Sequence, residues 1–303
     1  MTTQRAWIGF WALALIWGSS FLFIRIGVEQ LSTFQLVFMR TAIAAVGLNL
    51  VAFLRGTRLP ADRKTIRDLL ILGVVNTVFP FSLITWGEKT IESGLAAVLQ
   101  ATAALFTMVV AHFVFVDERI TWRTLGGLVF GFTGVVVLAT RSAGGDAIPA
   151  DARLHLLGQL AIVVASFCYA LGGAYSRKAI QRRLEPIVAA AGAMTVTAVI
   201  SGIAAYAAPL VGGAAPIALD RLAPRVLVAI LTLGLLNTFL AYLIFYSIIQ
   251  QLGAARASMV TYVIPPIGVA LGALFLDEPV DIRLVTGAAM IVGSIGICSS
   301  ARR

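Results

Sequence analysis

The sequence is poor in charge, cysteine and histidine. Asp, Glu, Lys and Arg together make up 12% of its 303 residues and hydrophobic types 59%, where about a quarter of an ordinary soluble domain is charged. A water-soluble fold cannot hide that much apolar surface, so soluble enzymes and binding modules are excluded on composition. The two cysteines, Cys168 and Cys298, lie inside apolar runs, which excludes a disulfide framework and a thiolate cluster. Histidines are equally few, His112 and His155, so no metal constellation can be assembled. Neither a nucleophile with its base nor a phosphate loop is visible, since Gly126-Gly127 lies within an apolar run and not after a strand. No enzymatic activity, cofactor or metal is expected. The 14 acidic residues all fall in connections or at the ends of apolar runs, which leaves no carboxylate near the middle of a span to relay ions.

What is abundant is apolar sequence in long stretches, with a mean hydropathy of +0.95. Ten runs can cross roughly 30 Å of hydrocarbon at about 1.5 Å per residue: Trp7 to Ile26, Phe34 to Leu54, Leu69 to Gly87, Gly94 to Val116, Thr124 to Thr140, Leu156 to Tyr175, Ile187 to Pro209, Val226 to Ile248, Ala254 to Leu276 and Leu284 to Ser299. The first is too long for the apolar core of a signal peptide and is expected to remain as a helix. The net charge of +9 does not indicate nucleic acid, because the basic residues are scattered between the runs instead of clustered on one face. They follow the parity of the spans. The termini and the connections after spans two, four, six and eight hold 15 Lys and Arg, and the opposite connections hold 7; Arg40, inside the second span, completes the 23. Excess positive charge marks the cytoplasmic side, so both termini are expected in the cytoplasm, with the chain a multi-pass protein of the cytoplasmic (inner or plasma) membrane.

An internal repeat organises these spans. Leu72-Gly73-Val74-Val75-Asn76-Thr77 recurs as Leu233-Gly234-Leu235-Leu236-Asn237-Thr238, and Val116-Asp117-Glu118 recurs as Leu276-Asp277-Glu278, at offsets of 161 and 160. Each copy holds five spans, an odd number, so the second enters the bilayer from the other side. Inverted repeats of this kind typify secondary transporters, whose substrate site lies near the midplane between the halves. The expected organisation is a first repeat over 1–141, a linker over 142–153 rich in glycine, and a second repeat over 154–303. The fold class is all-α, ten transmembrane helices as two inverted five-helix repeats.

Several local motifs then gain meaning together. Trp17-Gly18-Ser19-Ser20-Phe21, Phe38-Met39-Arg40, and Asp117-Glu118-Arg119 followed by Gly126-Gly127 and Gly134 resemble the EamA-type pattern of the drug/metabolite transporter superfamily, and Asp277-Glu278-Pro279 with Gly287 repeats its later part. The resemblance covers almost the whole chain. It implies a ten-helix carrier that exports metabolites by alternating access, with spans three, four, eight and nine around the cavity. Within the family the sequence is most similar to exporters of aromatic and other amino acids; efflux of drugs, cationic compounds or other metabolites is the alternative. Its partners would be a small-molecule substrate and membrane lipid, without nucleic acid, and it would act as a monomer or weak homodimer.

Candidate site residues follow from polarity and bulk within the spans. Arg40 lies seven residues into the second span, where an arginine costs about 2.5–3.5 kcal/mol at the centre. It is either a gate or clamp for a substrate carboxylate, or a side chain snorkelling to headgroups. Asn76 and Asn237, equivalent in the repeat, need an interhelical partner or a hydrated cavity. Pro80, four residues after Asn76, and Pro265-Pro266, expected to interrupt the ninth span, remove backbone donors and mark gating or structural bends. Aromatic contacts are expected from Trp17, Phe21, Phe79, Trp86, Tyr169, Phe239, Tyr246 and Tyr262, with Trp17 and Tyr169 foremost because the repeat sets their helices opposite each other; Trp86 and Tyr246 could equally be interfacial anchors. Gln100, with small Ala97, Ala101 and Ala104 about it, is a polar contact. Ser19 and Ser20 are weaker candidates, since helical hydroxyls bond their own backbone. Glu88, next to a span end, and His112 could couple protons. Gly127, Gly131 and Gly134, with Gly287, Gly293 and Gly296, let helices approach closely.

Overall fold

A computed structural model describes residues 3–57, 62–116, 118–140, 152–180 and 183–300. Most of the linker expected at 142–153 lies outside the described residues, as do Asp117, Arg58 and Arg182. Among the described residues there is no strand, and nine helices are long and apolar enough to cross a membrane: α1 (Gln4–Gly27), α2 (Thr33–Leu54), α3 (Arg63–Gly87), α4 (Ser93–Val114), α5 (Trp122–Ala139), α6 (Ala152–Lys178), α7 (Pro186–Val211), α8 (Pro224–Leu252) and α9 (Arg256–Leu276). The shorter α10 (Ile282–Cys298) completes ten. Oxygen-bearing side chains set several starts: Ser32 accepts from the Gln35 N–H at 3.2 Å, Asp62 from Thr65 at 3.0 Å and Thr121 from Thr124 at 3.2 Å, each satisfying a donor that the first turn leaves without an intrahelical acceptor.

The Asp62 cap corrects one expectation. It starts α3 at Arg63, six residues before the apolar run, and so places Asp68 inside a helix. Asp68 is buried, accepting from Arg183 at 2.6 Å, from Tyr175 at 2.9 Å and from Arg67 at 3.0 Å. Acidic residues are therefore not confined to exposed connections and helix ends; three donors make burial of this one tolerable.

Helix pairing follows the inverted repeat. Helix α2 packs against α7 and α5 against α10, while α1 packs against α8 and α9 just as α6 packs against α3 and α4. Advancing each label by five maps this set of partners onto itself, as a two-fold axis in the membrane plane requires. The α5–α10 seam uses the small residues: a Cβ on Gly127 would sit 2.5 Å from the Cys298 sulfur, one on Gly131 2.4 Å from Ser294 Oγ and one on Gly134 2.9 Å from the Gly287 carbonyl. A Cβ on Gly293 would meet the Phe130 ring at an ordinary 3.8 Å, and Gly296 alone of these glycines of α10 faces open space. Large side chains that point away from the bundle, among them Phe53, Phe113 and Leu274, are exposed, as a surface solvated by lipid tails allows.

Two helices widen where the sequence repeats. Residues Val74–Val78 of α3 and Thr232–Leu240 of α8 are π-helical, and each stretch contains the repeated asparagine. In α3 the cause is Pro80, which has no N–H to offer the Asn76 carbonyl. In α8 the Thr238 hydroxyl donates to the Leu233 carbonyl at 2.8 Å, five residues back. The proline pair of α9 behaves differently from expectation: the helix runs unbroken over Val260–Leu276 with Pro265 and Pro266 inside it. The irregular turn lies earlier, at Met259, six residues before Pro265.

Candidate functional site

Eight of the helices enclose a cavity of about 830 Å³. None of its lining residues comes from α5 or α10, which pack on each other at the side. Because ten crossings return the chain to its starting face, the ends of the cavity can be assigned. One end is closed by Phe21, Ile24, Arg40 and Ile84, all buried. The other reaches the face that carries the termini, where exposed Gln250 and Ser258 form part of the lining.

Arg40 at the closed end is held from two directions. Its Nε donates to Thr238 Oγ1 at 2.8 Å, and its guanidinium lies over the Phe81 ring, 4.1 Å from the centroid. Cation–π contact and the hydroxyl offset part of the cost of removing the charge from water. With one edge used, the remaining N–H groups of the planar fork are available to a bidentate acceptor. Among the described residues the lining contains no Asp or Glu, and Arg40 is its charged side chain.

The aromatic lining comes mainly from α1, α6, α8 and α9. Trp17 stacks at a tilt on Phe245, with centroids 5.2 Å apart; Phe245 in turn meets Tyr246 at 6.0 Å, and Tyr242 meets Tyr246 at 5.9 Å. Tyr169 and Tyr262 also line the space. Among polar groups, Asn237 Nδ2 donates to the Ile16 carbonyl and to Ser19 Oγ, the latter at 3.1 Å, while its Oδ1 and the Oε1 of Gln100 are buried acceptors without a hydrogen bond to protein. Ser19 and Ser20 bond the Ile16 and Trp17 carbonyls at 2.9 and 2.6 Å.

Of the residues expected to meet substrate, Trp17, Phe21, Asn76, Gln100, Tyr169, Asn237, Tyr246 and Tyr262 line this cavity together with Arg40. Phe79, Trp86 and Phe239 do not: Phe79 and Trp86 are 52% and 38% exposed on the outside of α3, and the Phe239 ring lies against Gly47 of α2. The π turn explains the exchange. It puts positions five apart on one face, so Phe81, five residues after Asn76, points inward where Phe79 was expected. Pro80, Pro265 and Pro266 are off the cavity wall. Glu88 sits just beyond α3, fully buried, with neither carboxyl oxygen hydrogen-bonded and its backbone carbonyl accepting from Arg25. His112 lies in the last turn of α4, where Nδ1 accepts from the Ile120 N–H at 3.1 Å. The sequence reading missed Phe81, Tyr242 and Phe245. A signal existed for the first two: they are repeat counterparts, each five residues after its asparagine.

Residues 5–140 and 156–300 each match the model of the EamA-like transporter family. The chain belongs to that family. An EamA-like transporter is accordingly a membrane carrier, and the relatives carry names of that kind. An uncharacterized transporter of Archaeoglobus fulgidus is 27% identical over 97% of this chain and 98% of its own length. A probable terminal-alkyne amino-acid exporter of Streptantibioticus cattleyicolor is 28% identical over 93% and 91% respectively. A solved crystal structure superposes with a TM-score of 0.68 over 99% of this EamA-like chain and 98% of its own, at 17% identity, which is a likeness of fold.

Proposed function

We propose that this transporter exports amino acids, aromatic and other neutral ones, by alternating access across the cytoplasmic membrane, with both termini in the cytoplasm. The observation that carries the reading is the pairing, in one cavity, of a buried arginine at the closed end with an aromatic wall. A zwitterion matches it: the carboxylate on the free edge of Arg40, the ammonium on the acceptors Gln100 Oε1 and Asn237 Oδ1, the side chain among Trp17, Tyr169, Phe245 and Tyr262. The excess of Lys and Arg on the terminal face supports a cavity facing the cytoplasm, from which an exported substrate is loaded. A wall whose described residues include a cation and no carboxylate disfavours cationic drugs, the rival cargo.

The test is uptake of radiolabelled phenylalanine and threonine into proteoliposomes, with unlabelled amino acids and drug cations as competitors. Saturable uptake competed by amino acids, and weakened in Trp17→Ala, is expected. Cation transport without amino-acid uptake would overturn the assignment in favour of drug efflux.

A further inference from the structure

The repeated Glu118 and Glu278 stand at equivalent places, just past α4 and just past α9, yet they are engaged differently. Glu278 reaches across to the start of α4. One carboxyl oxygen accepts from the Ser93 N–H at 2.7 Å, the other from the Gly94 N–H at 2.9 Å and the Ser93 hydroxyl at 3.0 Å. It thereby caps a first turn for which the helix's own N-cap, Glu92, supplies no side-chain bond. At this end α4 and α9 touch almost backbone to backbone: a Cβ on Gly268 would lie 2.3 Å from that of Ala97, and one on Gly94 3.1 Å from the Val269 Cα.

Glu118, on the terminal face, is paired with Arg177, whose guanidinium also covers the Phe115 ring at 4.1 Å. The short helical segment Ala254–Ser258 that leads into α9, entered through Gly253, has no side-chain cap. Here α4 and α9 no longer pack closely, and both line the cavity, α4 with Thr107 and Met108 and α9 with Thr261 and Tyr262. The arginine is repeated too. Arg177 follows Tyr169 by eight residues, as Arg25 follows Trp17. Glu278 on α4 and Glu118 on Arg177 are thus two halves of one symmetric exchange, seen at opposite phases.

We propose that Glu118 and Glu278 are alternating latches of the transport cycle, each moving between an arginine of the other repeat and the first turn of the opposing helix in the α4–α9 pair. In the present state the Glu278 cap holds the far face shut. When the terminal face closes, Glu118 leaves Arg177 for the uncapped turn after Gly253, and Glu278 is released toward Arg25. Charge-assisted bonds to helix N-termini suit this use, being strong yet exchangeable for an ion pair. Two positions of the cap differ between the copies: Gly272, against which Glu278 lies, is matched by His112, and Ser93, whose hydroxyl also donates to Glu278, is matched by Gly253, so the terminal-face cap forms beside an imidazole and through backbone N–H groups. These are positioning residues and touch no substrate.

The inference rests on alternating access, and its test needs no substrate. In protein with Cys168 and Cys298 replaced by alanine, spin labels at Thr107→Cys and Thr261→Cys report the α4–α9 separation on the terminal face by electron paramagnetic resonance. Glu278→Gln, which weakens the far-face cap, is expected to raise the ratio of short to long separations by about tenfold. Arg177→Ala, which removes the arginine partner of Glu118, is expected to shift the same way, and adding Glu118→Gln to it is expected to cancel that shift. A structural role alone would not produce this reversal. Unchanged distances in Glu278→Gln and Arg177→Ala, or an Arg177→Ala shift that persists without the Glu118 carboxylate, would overturn the latch. Failure of amino-acid uptake would sink the substrate assignment and leave these distances unaffected.

Discussion

Arg40 combines three demands in one side chain: a charge, a flat face for Phe81 and a free fork edge. Lysine keeps only the first. Arg40→Lys should therefore recover little of what Arg40→Ala loses, each raising the KM for zwitterionic substrate by about tenfold or more, since a lost charged hydrogen bond is worth about 1.5–3 kcal/mol. Near-normal uptake by Arg40→Lys in proteoliposomes would reduce the arginine to a counter-charge. Glu88 makes a different prediction. Burial pushes its carboxyl well above the ordinary 4.5; nearby Glu278 adds to the rise, and Arg25 and Arg40 oppose it. A carboxyl whose pKa is higher in the folded than in the unfolded protein stabilises fully below the unfolded value, and that contribution drains away as pH climbs toward the folded one. Glu88→Gln, neutral throughout, should melt with the parent protein near about pH 4 and above it near about pH 8. An offset independent of pH would show that Glu88 does not titrate in this range.

At the scale of helices, the spans were legible because each is a continuous apolar run, and their parity was legible in the placement of Arg and Lys. Register inside a span was not. Whether Phe79 or Phe81 faces inward depends on a π turn, set by one missing amide hydrogen at Pro80 and by backbone bonding that no apolar pattern records. The boundary of α3 was similarly hidden, since Asp62 adds two charged turns that hydropathy discounts. Glu88 read as an ordinary helix end because burial depends on which helices surround it. Pro80→Ala tests the π turn directly. Restoring the N–H lets the Asn76 carbonyl accept in the α register, which turns Phe81 off Arg40. Uptake is expected to fall about fivefold while thermal stability holds or rises, because proline in a helix interior costs about 3 kcal/mol. Undiminished uptake would mean that the widened turn does not position Phe81 for transport.

Over the whole molecule, the inverted repeat places the cavity-lining residues on eight helices and leaves α5 and α10 as a pair joined through glycine. Gly134→Leu should part that pair, since a Cβ there already lies 2.9 Å from the Gly287 carbonyl and overpacking costs about 1–3 kcal/mol. A melting temperature lowered by several degrees, with an unaltered ranking of competing amino acids, is the expected result. A changed ranking would tie the seam to the cavity. The seam also bears on how such a carrier diversifies. Selection for a new cargo can act on the cavity helices while α5 and α10 answer only to stability, so descendants of one duplicated ancestor can drift apart in diet while keeping the same spine.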